Sequence, residues 1–159
     1  MSESKFKTLR HIETVRNYLN LCVKEILNRQ ERHDQSKLEE LEVETFEKFT
    51  PKLRDCTYGT PIYQGYLEEM QVALKNHYNE NPHHPEHFKD GIKEMNLIDI
   101  IEMLVDWKAA SMRHNDGDIL KSIELNQKRF GYSDELKQIL INTAVWLNDS
   151  YVFNKVEES

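Results

Sequence analysis

Hydrophobic residues recur at helical intervals along most of the chain. In the segment at about 8–31 they follow one another at steps of three and four, at Ile12, Val15, Leu19, Cys22, Val23 and Ile26. This spacing predicts a long amphipathic helix with one apolar face. A second helical stretch is predicted over 33–49, and Pro51 either ends it or begins a short turn.

Two irregular segments interrupt the middle of the chain. The segment 55–61 reads as a loop, and 79–91 contains two prolines among turn-forming residues. Between these segments, apolar residues at helical spacing predict a helix over 62–78. The middle of the chain is therefore expected to be one helix between two loops.

The last third of the chain contains three more predicted helices, at about 96–114, 119–129 and 134–148. Ser133 is the expected N-cap of the last one. No segment shows the alternation of a strand, and the chain has no repeat or low-complexity stretch. These patterns predict an all-α protein with a bundle of about six to seven helices.

Length and composition fit one folded domain. The chain has 159 residues, and its five glycines and four prolines are too few for a disordered segment or a turn-rich β-sandwich. We expect a helical domain at 8–150, preceded by an extension at 1–7 and followed by a tail at 151–159.

Charge and cysteine content narrow the classes of partner and compartment. A net charge of −7 disfavours a nucleic-acid polymer, which needs a broad basic face, but it is compatible with a pocket for one phosphate. Cys22 and Cys56 have neither metal-site nor disulfide spacing, which favours a reducing cytosol. No stretch approaches the ~18 apolar residues of a membrane span, so a cytoplasmic location without membrane contact is expected.

Histidines are unevenly distributed along the chain. Six of the seven lie within the first 87 residues, at His11, His33, His77, His83, His84 and His87. Such a cluster in an acidic chain suggests a metal site. His11 and His77 continue the apolar faces of their predicted helices, which directs both side chains inward. The alternative for either is a core histidine bonded to a backbone carbonyl.

Three carboxylates follow one another on the apolar helix at 96–114. Asp99, Glu102 and Asp106 are spaced by three and four, so they share one face. Like charges at this spacing cost roughly 0.2–0.5 kcal/mol even when exposed, and unpartnered burial costs far more. A cation facing the stripe is therefore expected, and the alternative is that the stripe faces solvent.

The histidines of the loop combine with these carboxylates as a candidate ligand set. Imidazole with carboxylate suits transition metals such as Fe or Mn. His87 is better explained as an exposed loop residue, whereas His83 and His84 are as consistent with ligand roles as with exposure.

The order His11, His33-Asp34, two later histidines and Asp106 is the H…HD…H…H…D pattern of the HD superfamily. The chain resembles a small member of that superfamily over roughly residues 8–130. It also resembles a family of small proteins that carry segments of the types HDxSK, HHPEHF and EMxxDWKAA. The resemblance implies an HD-like helical bundle that binds one or two divalent transition metal ions, of Fe, Mn, Zn, Ni or Co.

The resemblance also implies which residues hold the ions. The first-metal ligands would be His11, His33, Asp34 and Asp106. The second-metal ligands would be His77 with His84 or His83, and Asp34 would bridge the two ions. Two departures leave the number of ions open: the gap from His77 to His83 is short, and Ser36 replaces the glycine that precedes the motif's lysine.

By the same resemblance, the expected activity is metal-dependent hydrolysis of a nucleotide or another small phosphate ester. Metal-activated water would attack phosphorus, Asp106 would accept a proton, and Glu102 would orient a ligand histidine. The candidate phosphate contacts are Lys37, Lys108 and Arg113. For each of these three, the alternative is ordinary surface charge.

Two other functions fit the same pattern. A di-iron HD-type oxygenase shares the ligand order and the lysine after the doublet, and a non-catalytic module could retain the metal or sequester a nucleotide. The preferred partner is a small phosphorylated substrate, and a homodimer is left open.

Overall fold

The computed structural model describes residues 2–57, 59–113 and 117–157, and over these the protein is all-α. It contains seven α-helices in the described part, three short 3₁₀ helices and no strand among those residues. The predicted class and number of helices are confirmed. The chain divides into two compact units, Met1–His33 and Asp34–Ser159.

The first unit is the single helix α1, Glu3–Arg32. Ser2 caps it, because its Oγ accepts a hydrogen bond from the Lys5 N–H at 3.3 Å. The helix therefore begins five residues before the predicted start and includes most of the predicted extension at 1–7. None of its described residues is buried, and His11 is exposed. The predicted inward direction of the His11 side chain stays a prediction, because this unit by itself is one helix.

The second unit contains six helices within the described residues. They are α2 (Val43–Arg54), α3 (Pro61–Glu69), α4 (Gln71–Glu80), α5 (Leu97–Ser111), α6 (Ile119–Phe130) and α7 (Asp134–Glu157). The 3₁₀ helices are Gln35–Leu38, Pro85–His87 and Gly91–Glu94. A core cluster formed by α5, α6, α7 and the segment before α7 contains Leu104, Ile119, Ile123, Tyr132, Leu140 and Ala144.

The predicted helix over 33–49 is wrong. Asp34 has φ 58° and ψ 15°, a left-handed conformation that no helix interior contains. A 3₁₀ helix and a turn follow, and α2 begins only at Val43. Pro51 lies inside α2 rather than ending it, and the helix continues for three more residues to Arg54.

The predicted helix over 62–78 is divided at Met70, whose φ of −85° and ψ of 0° end α3. The loop after α4 is irregular as predicted, apart from the 3₁₀ turn Pro85–His87. Ser133 caps α7 as predicted, since its Oγ accepts from the Leu136 N–H. The predicted tail begins inside α7, which continues to Glu157.

The other helix boundaries follow local capping. Asn96 caps α5, which ends at Ser111, while the predicted end at His114 lies outside the described residues. Gly131 takes a left-handed φ of 67° and ends α6. In the described part of the chain, no helix combines the length and the apolar character needed to cross a bilayer.

Candidate metal centre

Asp34 begins the centre, at the first residue of the second unit. Among the described residues other than glycine, it alone has a positive φ. Aspartate tolerates this conformation better than most residues because its short side chain can bond locally. The 3₁₀ turn that follows is closed by a bond from the Lys37 N–H to the Asp34 carbonyl at 3.0 Å. The turn therefore holds Asp34, Ser36 and Lys37 close together.

Helix α4 and the loop after it bring three imidazoles to the Asp34 carboxylate. His77 Nε2 lies 3.2 Å from Asp34 Oδ1, and His83 Nε2 lies 3.5 Å from the same oxygen. His84 Nε2 lies 2.9 Å from His77 Nε2. His77 and His83 are each 1% exposed, so these nitrogens converge in a space that bulk water hardly reaches.

These four residues form a group that could hold a metal ion. One ligand atom from each of Asp34, His77, His83 and His84 lies within 4.8 Å of every other. Three imidazole nitrogens with one carboxylate oxygen are a donor set suited to Zn, Fe, Ni, Co or Mn. We call these four residues the cluster.

Two carboxylates lie behind the cluster histidines, that of Glu42 buried and that of Glu102 half-buried. Glu42 Oε2 is 3.1 Å from His77 Nδ1, and Glu102 Oε1 is 3.2 Å from His83 Nδ1. Histidines that ligate metals usually donate their other ring N–H to such a partner, which orients the ring. Both His77 and His83 have their Nε2 atoms towards Asp34 and a carboxylate at Nδ1, as ligands would.

One of these two carboxylates was predicted from the sequence to orient a ligand histidine, and the other was not predicted. Glu102 was singled out by its place one turn before Asp106, and it contacts His83. Glu42 was not singled out, because it lies in a turn where no periodicity marks inward positions. It is nevertheless completely buried.

Lys37 lies at the edge of the cluster. Its Nζ is 2.5 Å from Asp34 Oδ2, the oxygen that does not face His77, and it lies 5.1 Å from the centre of the Phe46 ring. The Lys37 side chain is 28% exposed. The cluster and a cation of the protein therefore share one carboxylate.

Burial is the main cause of a low pKa at His84, which falls to about 3. The neighbouring His83 and His77 lower it further, whereas the carboxylates of Asp106 and Asp34 oppose the shift. The imidazole of His84 is thus neutral at ordinary pH, the form in which histidine binds metal.

Lowering the pH should destabilise the metal-free protein between pH 6.5 and about 3. The unfolded chain protonates His84 near its ordinary pKa of 6.5, but the folded chain does so only near 3. The unfolded state therefore binds more protons in this window, and His84 alone changes the free energy of unfolding by up to about 1.4 kcal/mol per pH unit. Urea unfolding after chelation, at several pH values, should give a smaller slope for His84→Asn than for the wild type. Equal slopes for the two proteins would contradict a low pKa of His84 in the folded chain.

The other predicted residues are placed as follows. The carboxylate of Asp99 accepts a hydrogen bond from the Asn96 N–H and completes the capping box of α5, which gives this buried group a polar partner. Asp106 is half-buried and lies close enough to His84 for its charge to raise that pKa. His87 is exposed, and its Nδ1 lies 2.9 Å from the Tyr78 carbonyl oxygen. This agrees with its interpretation as an exposed loop residue.

For His11 and His33, the role of metal ligand stays a prediction. The role of phosphate contact stays a prediction for Lys108 and Arg113. His33 ends α1 in the first unit, where its N–H bonds to the Arg29 carbonyl. His11 is exposed on the same helix, and Lys108 is half-buried on α5. Arg113 is exposed and lies two residues beyond the last residue of α5, although the predicted helix at 96–114 included it.

Comparison with known proteins identifies a family for the chain. No curated protein and no solved structure matches it. One family model matches residues 1–149, and that family is described as one of unknown function. Since the match spans nearly the whole chain, the protein belongs to this family, DUF5662.

Proposed function

We propose that the protein is a metal-dependent phosphohydrolase that acts on a nucleotide or another small phosphate ester. The observation that carries the proposal is the convergence of His77, His83 and His84 on Asp34, with all four ligand atoms within 4.8 Å. The residues also keep the order of the HD pattern, which links a ligand set of this kind to phosphate chemistry.

The donor set fits a divalent transition ion. Neutral imidazoles and a carboxylate are the protonation states that such ions require, and His84 is held neutral by burial. The carboxylates of Glu42 and Glu102 at Nδ1 leave the Nε2 atoms of two histidines for the ion. A divalent ion bound there supplies a Lewis acid that activates water for attack near neutral pH.

The residues around the cluster have separate tasks in this scheme. Asp34 directs Oδ1 towards the histidines and Oδ2 towards Lys37, so Oδ1 would be the ligand atom for an ion while Oδ2 holds the Lys37 ammonium group beside it. The ammonium group of Lys37 pairs with a phosphate oxygen. Asp106, next to His84, takes up the proton that the attacking water loses.

The test is a metal screen followed by an activity screen. Purified wild type is measured for bound metal, reconstituted with Mn, Fe, Co, Ni or Zn, and assayed against p-nitrophenyl phosphate, its bis-ester and the common nucleotides. His87→Ala is a matched control, because His87 is exposed and outside the cluster. We expect metal-dependent turnover in both proteins. Bound metal without hydrolysis of any ester would contradict the reaction, and iron with O₂ consumption would favour the oxygenase.

Replacing Lys37 with methionine should raise KM for the phosphate ester by roughly 10–100-fold, since a hydrogen bond to a charged group contributes about 1.5–3 kcal/mol. Methionine keeps an unbranched side chain against Phe46 but removes the charge. Lys89→Met, at an exposed loop position, is the control and should leave KM unchanged. An unchanged KM in Lys37→Met would show that Lys37 serves only to pair with Asp34.

A further inference from the structure

Glu42 lies at the centre of a buried polar network on the far side of His77. The carboxylate is completely buried, and Ser36 and Asn81 are buried with it. Glu42 Oε1 accepts from Asn76 Nδ2 at 2.8 Å, and Oε2 lies 3.1 Å from both Ser36 Oγ and His77 Nδ1. Burying a charge is costly unless each of its oxygens is bonded, and here both are.

The hydrogens of this network can be assigned by elimination. Asn81 Nδ2 has two, which bond to the His77 carbonyl at 2.8 Å and to Ser36 Oγ at 2.9 Å. Because Ser36 Oγ accepts from Asn81, its single proton is available for Glu42. Neither Asn81 nor Ser36 then has a hydrogen left for His77 Nδ1, although both lie within 3.2 Å of it.

With Glu42 as a carboxylate, the proton between it and His77 belongs to the imidazole. A ring with an unprotonated Nδ1 would direct its lone pair at a carboxylate oxygen 3.1 Å away, which is repulsive. With the proton on Nδ1, the ring bonds to Glu42 and its Nε2 carries a lone pair. That lone pair faces Asp34 Oδ1 at 3.2 Å.

We propose that Glu42 is a positioning residue of the metal centre, which fixes His77 as the Nδ1–H tautomer with Nε2 directed into the cluster. Ser36 and Asn76 hold Glu42 in place, and Asn81 restricts the position of Ser36. This inference rests on the metal-binding part of the proposed function and is independent of whether the protein hydrolyses phosphate esters.

Glutamine is the most informative substitution at position 42. It keeps the size of the side chain but replaces one acceptor oxygen by an NH₂ group. Three donors, from Asn76, Ser36 and His77, then face a single acceptor oxygen and a donor. Glu47→Gln is the matched control, because Glu47 is an exposed residue of α2.

The experiment measures Co²⁺ affinity by chelator competition for the wild type, Glu42→Gln and Glu47→Gln. It also records the ¹H–¹⁵N histidine ring spectrum of the metal-free wild type. We expect the His77 proton on Nδ1, a 10–100-fold loss of Co²⁺ affinity in Glu42→Gln, and wild-type affinity in Glu47→Gln.

Three results separate the ways in which the inference fails. Wild-type affinity in a folded Glu42→Gln variant would overturn the role of Glu42 while leaving the metal centre in place. A proton on Nε2 of His77 would overturn the assigned tautomer, and this measurement needs no variant to fold. Absence of Co²⁺ binding by the wild type would instead overturn the metal centre itself. Should Glu42→Gln not fold, Ser36→Ala replaces it, with a smaller loss of affinity expected and an unchanged affinity counting against the network.

Discussion

Replacing Asp34 with asparagine should abolish metal binding by the cluster and any hydrolysis that depends on it. Asp34 contributes the one carboxylate oxygen that faces both His77 Nε2 and His83 Nε2, at 3.2 and 3.5 Å. Asparagine has nearly the same shape but no charge, and its amide is a poor ligand for a transition ion. Residues that only support ligands typically contribute 10–100-fold in affinity, so we expect a loss greater than about 100-fold for a ligand itself.

Asparagine is also the substitution that separates chemistry from folding at this position. The backbone of Asp34 is left-handed, with φ 58°, and asparagine tolerates that region as well as aspartate does, whereas alanine does not. A folded Asp34→Asn variant without metal is therefore the expected result, measured by circular dichroism and elemental analysis. His87→Ala should retain the metal content of the wild type. Full metal content in Asp34→Asn would contradict the assignment of the cluster as the metal site.

Removing the metal should lower the melting temperature of the wild type by several degrees. An ion that binds only the folded state stabilises it by about 2.7 kcal/mol when its free concentration is 100 times Kd. For a chain of this length, each kcal/mol shifts Tm by about 2–4 °C, so the expected shift is roughly 5–11 °C. Scanning calorimetry with Co²⁺ and with excess chelator measures it directly.

Scanning calorimetry of Asp34→Asn, with Co²⁺ and with excess chelator, is the control for non-specific metal effects. That variant should melt at one temperature with and without Co²⁺, because its cluster lacks the carboxylate oxygen. A wild-type Tm that does not respond to the ion would contradict a stabilising site. A shift of equal size in both proteins would place the metal elsewhere on the chain.

Most helices of this protein were predictable from the sequence because their signals are local. The apolar spacing on α5, α6 and α7 and the cap at Ser133 act within a few residues, and all three helices begin within one residue of the predicted start. The errors lie where the tertiary structure overrides the local pattern. Asp34 takes a left-handed conformation within a stretch of helical spacing, and Met70 divides one periodic segment into two helices.

In the candidate site, too, the sequence predicted one part of the arrangement and the tertiary structure decided the rest. The resemblance to the HD pattern implied Asp34, His77 and either His84 or His83 as metal ligands, and the structure brings all four residues together. The capping role of Asp99 was not predicted, because spacing alone cannot separate a carboxylate that faces a cation from one that caps its own helix. Glu42 was missed for a similar reason, since no periodicity operates in the turn that contains it.

The sequence by itself thus determined the helical class, the first residues of several helices and the residue types able to bind a metal, because these depend on spacing and side-chain type. Only the tertiary structure decided that three histidine nitrogens meet one oxygen of Asp34 and that Glu42 and Glu102 lie behind two of the rings. These contacts join residues far apart in the chain. Their distances are set by how α4, α5 and the loop between them pack around the 3₁₀ turn Gln35–Leu38. No local sequence pattern encodes this packing.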